Sequence, residues 1–548
     1  MSRWLTWVLL VVAAGAMALR APELERRPLH TDESVHTIKF QGLWDQGTYR
    51  YDPNEYHGPS LYYFTLPLVW ASGAKSFADT EITPYRLVPV WFGVGLVLLL
   101  FLIRDALGGP ATVMAALLTA LSPAMVFYSR YYIHEIPLVF FTLLVMAAGW
   151  RYCRQPGWKW VLLLGVGAGM MYATKETFII SLGAMALALL LVWIWGIVMD
   201  GYSFAWRDAL RPLHVVVALV VALGVGTLFF TSFFTHAGGP LDSVRTYLPW
   251  FGRAQGNSPH LHPWYYYLDL LAWRRAGRGP VWSESMILIL AAIGFAVSLR
   301  RVPFSGRGAA TELPDGPNSR AIFSEADPVW LRFIAFYTLI MTAAYAAIPY
   351  KTPWCLLGFH HGMILLAAMG FAFLWQVGAT RGLRVVVGVA AGLGLAQLGA
   401  QAVRGNFTYY ADPRNPYVYA HTGTDLVRLA NKVLSLSRLH PDKSRMLVRV
   451  MAQGSPHFPR AGDYWPLPWY FRRLERVGWY NQVPPDPQAP VVIASPAFEP
   501  ALTAALGTNY QNAGFFGHRP RPAVFLLLFV QRDLWEKYVA APKTDEEE

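Results

Sequence analysis

Two adjacent acids, Asp32 and Glu33, stand between His30 and His36 in the stretch RPLHTDESVHT, residues 27–37. Neighbouring side chains diverge in an extended loop, so the two carboxylates can serve separate purposes. One can accept a proton from a substrate hydroxyl. The other can hold a helix cap, a cation or the loop itself. The same residues also suit a plain helix start at Thr31 or Asp32, where acids are favoured in the first turn. Groups of this kind recur along the chain: His57 in HGPS, Arg86, Arg130, His134 and Glu135 in SRYYIHE, Lys175 and Glu176 in TKET, and Lys351 in PYKTPW. Cations such as Arg86, Arg130, Lys175 and Lys351 suit the binding of a lipid-linked phosphate. Nothing in the sequence demands a cofactor. The His and acid groups could supply a divalent cation site for Mg²⁺ or Mn²⁺, with Asp32, His134 and Glu135 as candidate ligands. The zinc spacing HExxH is absent, since IHEIP lacks the second His.

The elements that must position these residues are membrane helices. The chain has 548 residues, 54% hydrophobic and only 15% charged, with a mean hydropathy of +0.31. Apolar runs of roughly 20 residues recur along it. Eleven spans are expected at 3–20, 85–104, 110–128, 134–152, 158–174, 178–199, 213–234, 284–300, 329–348, 354–376 and 382–402. With the N-terminus in the cytoplasm, every inside loop is basic. Arg3, Arg104, Arg151, Arg154, Lys159, Arg207, Arg211, Arg300, Arg301, Arg307, Arg381 and Arg384 all fall there, as the positive-inside rule asks. This accounts for much of the net charge of +12, and no basic stripe interleaved with aromatics points to a nucleic acid. The first span, a short apolar run ending AMA, also has the shape of a cleaved signal peptide.

This orientation puts the chemical residues on the outer side. A first outer loop, 21–84, carries the acid pair and then EYHGPSLYYFTLPLVW, whose apolar part is too short to span and reads as a helix in the interface. Charges near helix ends can simply snorkel to the interface, and that explains any one of them. It does not explain a set that mixes acids, bases and histidines on one side, and such a set reads as a site. Residues 302–328 read as a polar inside linker. From residue 404 the hydropathy drops. SRMLVRVMA, APVVIAS and AVFLLLFVQ read as strands; GTDLVRLANKVLSLSRLH and WYFRRLERVGW read as helices. The expected organisation is a membrane domain at 1–403 and a small outer α/β domain at 404–548, ending in a disordered KTDEEE tail.

Several chemistries are excluded. No phosphate loop or GxSxG elbow occurs. NFT at 406 matches a glycosylation sequon, a short motif with little meaning alone. Cys153 and Cys355 are expected near opposite membrane faces, too far apart to bridge.

In motif order, TDE, then HGPSLYYF, then SRYYIHE resembles the glycosyltransferase C (GT-C) superfamily, to which dolichyl-phosphate-mannose protein mannosyltransferases and bacterial aminoarabinose transferases belong. More narrowly, DE with HGP and two early arginines is similar to a family named for its association with flippase activity. The resemblance covers roughly the first 200 residues in motifs and the membrane part in layout. It implies a multi-pass GT-C-like helical membrane fold and transfer of a sugar from a polyprenyl-phosphate donor to a hydroxyl of a glycan, lipid or protein. Asp32 would be the base, with Glu33 and Glu135 as further catalytic acids. His57, Arg86, Arg130, Lys175 and Lys351 would meet the donor phosphate, supported by His134 and Glu176. The related transferases often carry a Lys-Pro-Pro-like sequence where this chain has HGP, so His57 would bring a weaker, pH-dependent charge. The competing expectation is a transport- or flippase-associated component for a lipid-linked glycan, with no catalysis of its own. That reading predicts internal repeats and broken mid-span helices; the sequence shows no repeat.

Overall fold

A computed structural model describes residues 3–54, 57–201, 211–255, 260–300, 326–378, 380–455, 458–517 and 524–542. Most of the 302–328 linker, the KTDEEE tail and Arg207, Arg301 and Arg307 lie outside these residues. The chain divides into two compact units: Met1–Pro22, Thr48–Thr65 and Arg86–Thr408 form the first, and Glu23–Gly47, Leu66–Tyr85 and Tyr409–Glu548 the second.

The chain before the sheet folds into α1 (Arg3–Arg20), α2 (Thr31–Gln46), α3 (Ser60–Ala71), α4 (Ile82–Leu107), α5 (Gly109–Leu121), α6 (Pro123–Tyr128), α7 (Glu135–Arg154), α8 (Trp158–Thr174), α9 (Phe178–Val198), α10 (Pro212–Phe230), α11 (Gly239–Arg245), α12 (Tyr247–Gln255), α13 (Tyr266–Ala272), α14 (Ser285–Ser298), α15 (Pro328–Ala347), α16 (Leu357–Val377) and α17 (Arg381–Val403). All but α2 belong wholly or in part to the first unit. Each of the eleven expected spans contains a helix. Among the described residues eight helices are long and apolar enough to cross a membrane; α5, α8 and α14 are shorter. The third span is not one helix. Pro123 cannot continue the ladder of α5, and Ser122 restarts it as the cap of α6, its Oγ accepting the Met125 amide at 3.3 Å.

Helix α8 packs against α10 through Gly165 and Gly169. A β-carbon at either would lie 2.7 or 2.6 Å from the carbonyl oxygens of Ala218 and Ala222. This is the small-xxx-small contact that lets membrane helices approach closely. At the other end of the bundle's chemistry, Arg332 in α15 pairs with Asp200 and donates to the Ser298 and Arg300 carbonyls at 3.1 and 2.8 Å. It thereby satisfies the open end of α14. Asn406, in the sequon match, is 3% exposed with its amide given to Ala402 O at 2.7 Å, so it offers no surface to a glycan.

The second unit is built on a five-stranded sheet of order β4-β1-β5-β7-β6, with β1 at Val448–Met451, β4 at Val477–Tyr480, β5 at Val491–Ala494, β6 at Tyr510–Gly517 and β7 at Phe525–Gln531. A separate hairpin pairs β2 (Gly454–Ser455) with β3 (Phe458–Gly462). Strands β4, β1 and β5 are parallel; β7 and β6 run antiparallel. β5, VVIA, is buried on both faces, as a central parallel strand must be. Val448, Val450, Ile493 and Leu528 meet Leu429 and Val433 of α18 (Thr424–Leu439), while Val492, Ala494 and Phe529 meet Leu502 of α20 (Glu499–Leu506). The stretch WYFRRLERVGW, expected as one helix, instead makes a single turn, α19 (Leu467–Tyr470), and then β4. Its arginines explain the break: Arg472 donates to Thr80 O at 2.7 Å and Arg473 to Glu81 at 2.9 Å. A closing helix, α21, covers Arg532–Ala540.

Residues 23–47 and 66–85 of the first loop pack within this unit. Leu29 N donates to the Tyr470 hydroxyl at 3.0 Å and Ser34 Oγ to Pro466 O at 3.3 Å. Tyr85 stands edge-on to both Phe40 and Trp469, with centroids 5.1 and 5.5 Å away.

Candidate functional site

The acid pair opens α2 in the sheet unit. His30 is the N-cap; its Nδ1 accepts the Asp32 amide at 3.1 Å, and Glu33 Oε2 accepts the His30 amide at 3.0 Å. This reciprocal arrangement is a capping box. Glu33 is fully buried and 3.5 Å from the Arg27 guanidinium. Asp32 keeps 30% of its side chain exposed, with a carboxylate oxygen 3.8 Å from His30 Nδ1. The two acids thus part company: Glu33 holds the helix start, and Asp32 presents a carboxylate to solvent. Behind them His421 lies edge-on to His30 at 5.7 Å. Burial, then the charges of His30 and Arg27, push its imidazole well below the ordinary value. His36 is buried too.

The membrane unit gathers a second group where α7 begins and α8 ends. The HGPS segment lies on the last turn of α8. Gly58 N donates to Thr174 O at 3.0 Å, Ser60 Oγ and Thr174 Oγ1 are 2.9 Å apart, and any side chain at 58 would run into the Ala173 carbonyl. That docking brings His57 Nδ1 to 2.8 and 3.0 Å from the two oxygens of Glu176. Gly58 O in turn accepts from His134 Nε2 at 2.9 Å, which fixes the proton on that nitrogen, since a carbonyl can only accept. The rings of His57 and His134 meet edge to face at 5.1 Å. The next residues, Glu135 and Lys175, form an ion pair with side chains 6% and 7% exposed. Among the described residues Glu135 Oε2 has no hydrogen-bond partner. Tyr247 of α12 donates to the Glu176 carbonyl at 2.9 Å.

The electrostatics follow from this pairing. Burial alone would lower the Lys175 ammonium, but the Glu135 carboxylate beside it outweighs burial and holds it raised. Burial alone would raise Glu176, but His57 and then Lys175 hold its carboxyl down at about 2. Lys175 therefore stays protonated and Glu176 ionised through the neutral range.

The remaining cations from the sequence stand differently. Arg86 is fully buried in α4. Arg130 Nη1 donates to the Arg20 and Pro22 carbonyls, each at 2.7 Å, and its guanidinium lies 4.9 Å from the Phe407 ring centre. Lys351 donates to the Ile348 carbonyl and, at 3.3 Å, to that of His262; burial pushes its ammonium down. The structure brings His57, His134, Glu135, Lys175 and Glu176 together, and places Asp32 and Glu33 in the other unit. Among the described residues no three His, Cys, Asp or Glu side chains gather as a metal ion would need. Glu135 is paired with Lys175 and His134 with a carbonyl, and the chemistry below uses protein groups alone.

Sequence reasoning missed Arg27, Tyr247, His421 and Thr174. The expected helix start covers Glu33 but does not mark Arg27 just before it; nothing local marks Thr174, Tyr247 or His421, which come from distant elements.

Comparison with known proteins fits this architecture. The family model for dolichyl-phosphate-mannose-protein mannosyltransferase matches residues 59–237, which hold the α7–α8 group except His57. No curated protein matches the chain by sequence. Among solved structures, ArnT from Cupriavidus metallidurans bound to undecaprenyl phosphate is 14% identical, with a TM-score of 0.54 over 98% of this chain and 99% of that one. The archaeal oligosaccharyltransferase AglB from Archaeoglobus fulgidus, in complex with an inhibitory peptide and a dolichol-phosphate, is 11% identical, with a TM-score of 0.55 over 98% of this chain and 77% of that one. At such identities the likeness is one of fold: the chain has a GT-C-like fold, a multi-pass helical membrane part with a small carboxy-terminal α/β part.

Proposed function

We propose that the protein is an integral-membrane glycosyltransferase. It moves a sugar from a polyprenyl-phosphate donor to a hydroxyl on a glycan, lipid or protein at the outer face of the cell membrane. The observation that carries this reading is the buried group of alternating charge at the ends of α7 and α8, His57–Glu176 beside Glu135–Lys175, in a bundle of GT-C-like fold. Buried charges at membrane depth are costly and are kept for function. The structural relatives were solved with undecaprenyl phosphate and with a dolichol-phosphate, and a polyprenyl phosphate is carried to this chain on that likeness.

The reaction is a single displacement. The acceptor oxygen bonds to the anomeric carbon as the bond from that carbon to the phosphate oxygen breaks. The electron pair leaves with the lipid phosphate, and the hydroxyl proton passes to a base. Asp32 is the base, because it is the acid of the pair whose carboxylate stays exposed. Inversion by such a displacement requires base and leaving group on opposite sides of the sugar ring. His57, with 24% of its side chain exposed, meets the phosphate, and Lys175 supplies fixed positive charge. Glu135 offers its unpartnered Oε2 to a sugar hydroxyl. Arg130 and Lys351 hold backbone carbonyls, and His134 and Glu176 support the group. The N-terminus is cytoplasmic and the sheet unit outside, by the basic inside loops.

The test uses purified full-length protein in lipid discs with a panel of polyprenyl-phosphate sugars and mixed glycan, lipid and peptide acceptors. One donor should yield product with inverted anomeric configuration, at a rate unchanged by chelator. If no donor is turned over while a lipid-linked glycan crosses proteoliposomes, the transport reading replaces this one.

A further inference from the structure

Away from this group, the membrane unit buries another carboxylate. Glu284, at the N-cap of α14, is fully buried. Its Oε1 accepts the Ala124 amide at 2.9 Å, and its Oε2 accepts Ser122 Oγ at 2.6 Å and lies 3.0 Å from His360 Nε2. Ser122 Oγ and His360 Nε2 are 3.2 Å apart. One carboxylate therefore ties three elements at one point: the start of α14, the break between α5 and α6, and the first turn of α16.

The constellation contains serine, histidine and an acid, but it is not a nucleophile. In a relay the acid holds one ring nitrogen and the serine the other. Here both crowd the same Nε2, and all three residues are buried. What the carboxylate does is close the open end of α6. Ser122 and Ala124 present the first donors of a helix interrupted by Pro123, and an anion is favoured there. Helix α6 leads directly through Ser129 and Arg130 to His134 and Glu135. Helix α16 follows the segment that carries Lys351.

We propose that Glu284 is a positioning residue for the transfer reaction: by anchoring the α5–α6 break to α14 and α16, it holds segment 123–135 so that His134 and Glu135 keep their places. This rests on the transferase reading above. A positioning role asks for an acceptor facing the Ala124 amide, which Glu284→Gln retains and Glu284→Ala lacks.

Full-length wild type, Glu284→Gln and Glu284→Ala in lipid discs would be compared by hydrogen exchange and by turnover. Exchange in 124–135 should rise about tenfold in Glu284→Ala and stay near wild type in Glu284→Gln, with the sheet strands unchanged in both. Turnover should fall about a hundredfold in Glu284→Ala with little change in donor KM, and Glu284→Gln should recover most of it. Unchanged exchange in Glu284→Ala overturns the anchoring. Raised exchange with unchanged turnover overturns the role in the reaction. A wild type that transfers no sugar defeats the transferase reading, and the role in the reaction with it. The exchange measurement still decides whether Glu284 anchors the segment.

Discussion

Asp32 and Glu33 show how one helix start can divide two identical charges. Glu33 lies in a capping box and against a buried arginine, so its loss should be felt as stability. Glu33→Ala should cost about 3 kcal/mol, because it removes the partner of a buried charge. Asp32→Asn should stay within about 0.5 kcal/mol of wild type. Thermal unfolding in detergent checks both, and equal costs would contradict the division. The ion pairs of the other unit set a pH window. Glu176 has a depressed pKa, so its contribution is complete above its ordinary value of 4.5 and is lost as the pH falls toward about 2. Lys175 has a raised one, so its contribution is complete below its ordinary 10.5 and is lost as the pH rises beyond it. The unfolding temperature of wild type should fall on acidification below roughly pH 4.5, and Glu176→Gln should flatten that limb. An unaltered limb would show that Glu176 is not the carboxylate responsible. At this scale the residue types were legible in the sequence. Their partners were not, because His57 meets Glu176 across more than a hundred residues and Glu33 takes its arginine from the preceding turn rather than from α2 itself.

Elements were easier to read than residues. The apolar runs near twenty residues became helices, the third in two pieces, because an unpaired backbone has no partner in lipid, and β-branched runs such as VVIA became buried strands. The failures have local causes. The third span breaks at Ser122 because Pro123 interrupts the ladder. WYFRRLERVGW stops after one turn because Arg472 and Arg473 find partners at Thr80 and Glu81. Close helix contacts were invisible until a neighbour was known, as at Gly165 and Gly169. Gly169→Leu should push α8 from α10 and destabilise the protein by about 1–3 kcal/mol or more, whereas Gly183→Ala in α9, with open space around it, should be nearly neutral. Unfolding temperatures of the two variants check this, and similar shifts would contradict the packing.

For the whole molecule, composition alone indicated a membrane protein, and motif order pointed to the GT-C-like fold that the structural relatives share. The first loop was less legible: residues 23–47 and 66–85 fold with the sheet because their contacts, such as Leu29 with Tyr470, come from the far end of the chain. Orientation is a property of the whole chain and the basic loops predict it. A single cysteine introduced at Arg104 in a cysteine-free background should be shielded from an impermeant thiol reagent in intact cells, and one at Arg438 of the sheet unit should be labelled; the reverse pattern would invert the topology. Sugar transfer with Asp32 as the base is what we propose for this fold. The most direct measurement compares wild type with Asp32→Asn for both sugar transfer and donor binding in lipid discs. Turnover that falls by about a thousandfold or more with donor binding kept is the predicted result. Equal turnover in the two proteins would contradict it.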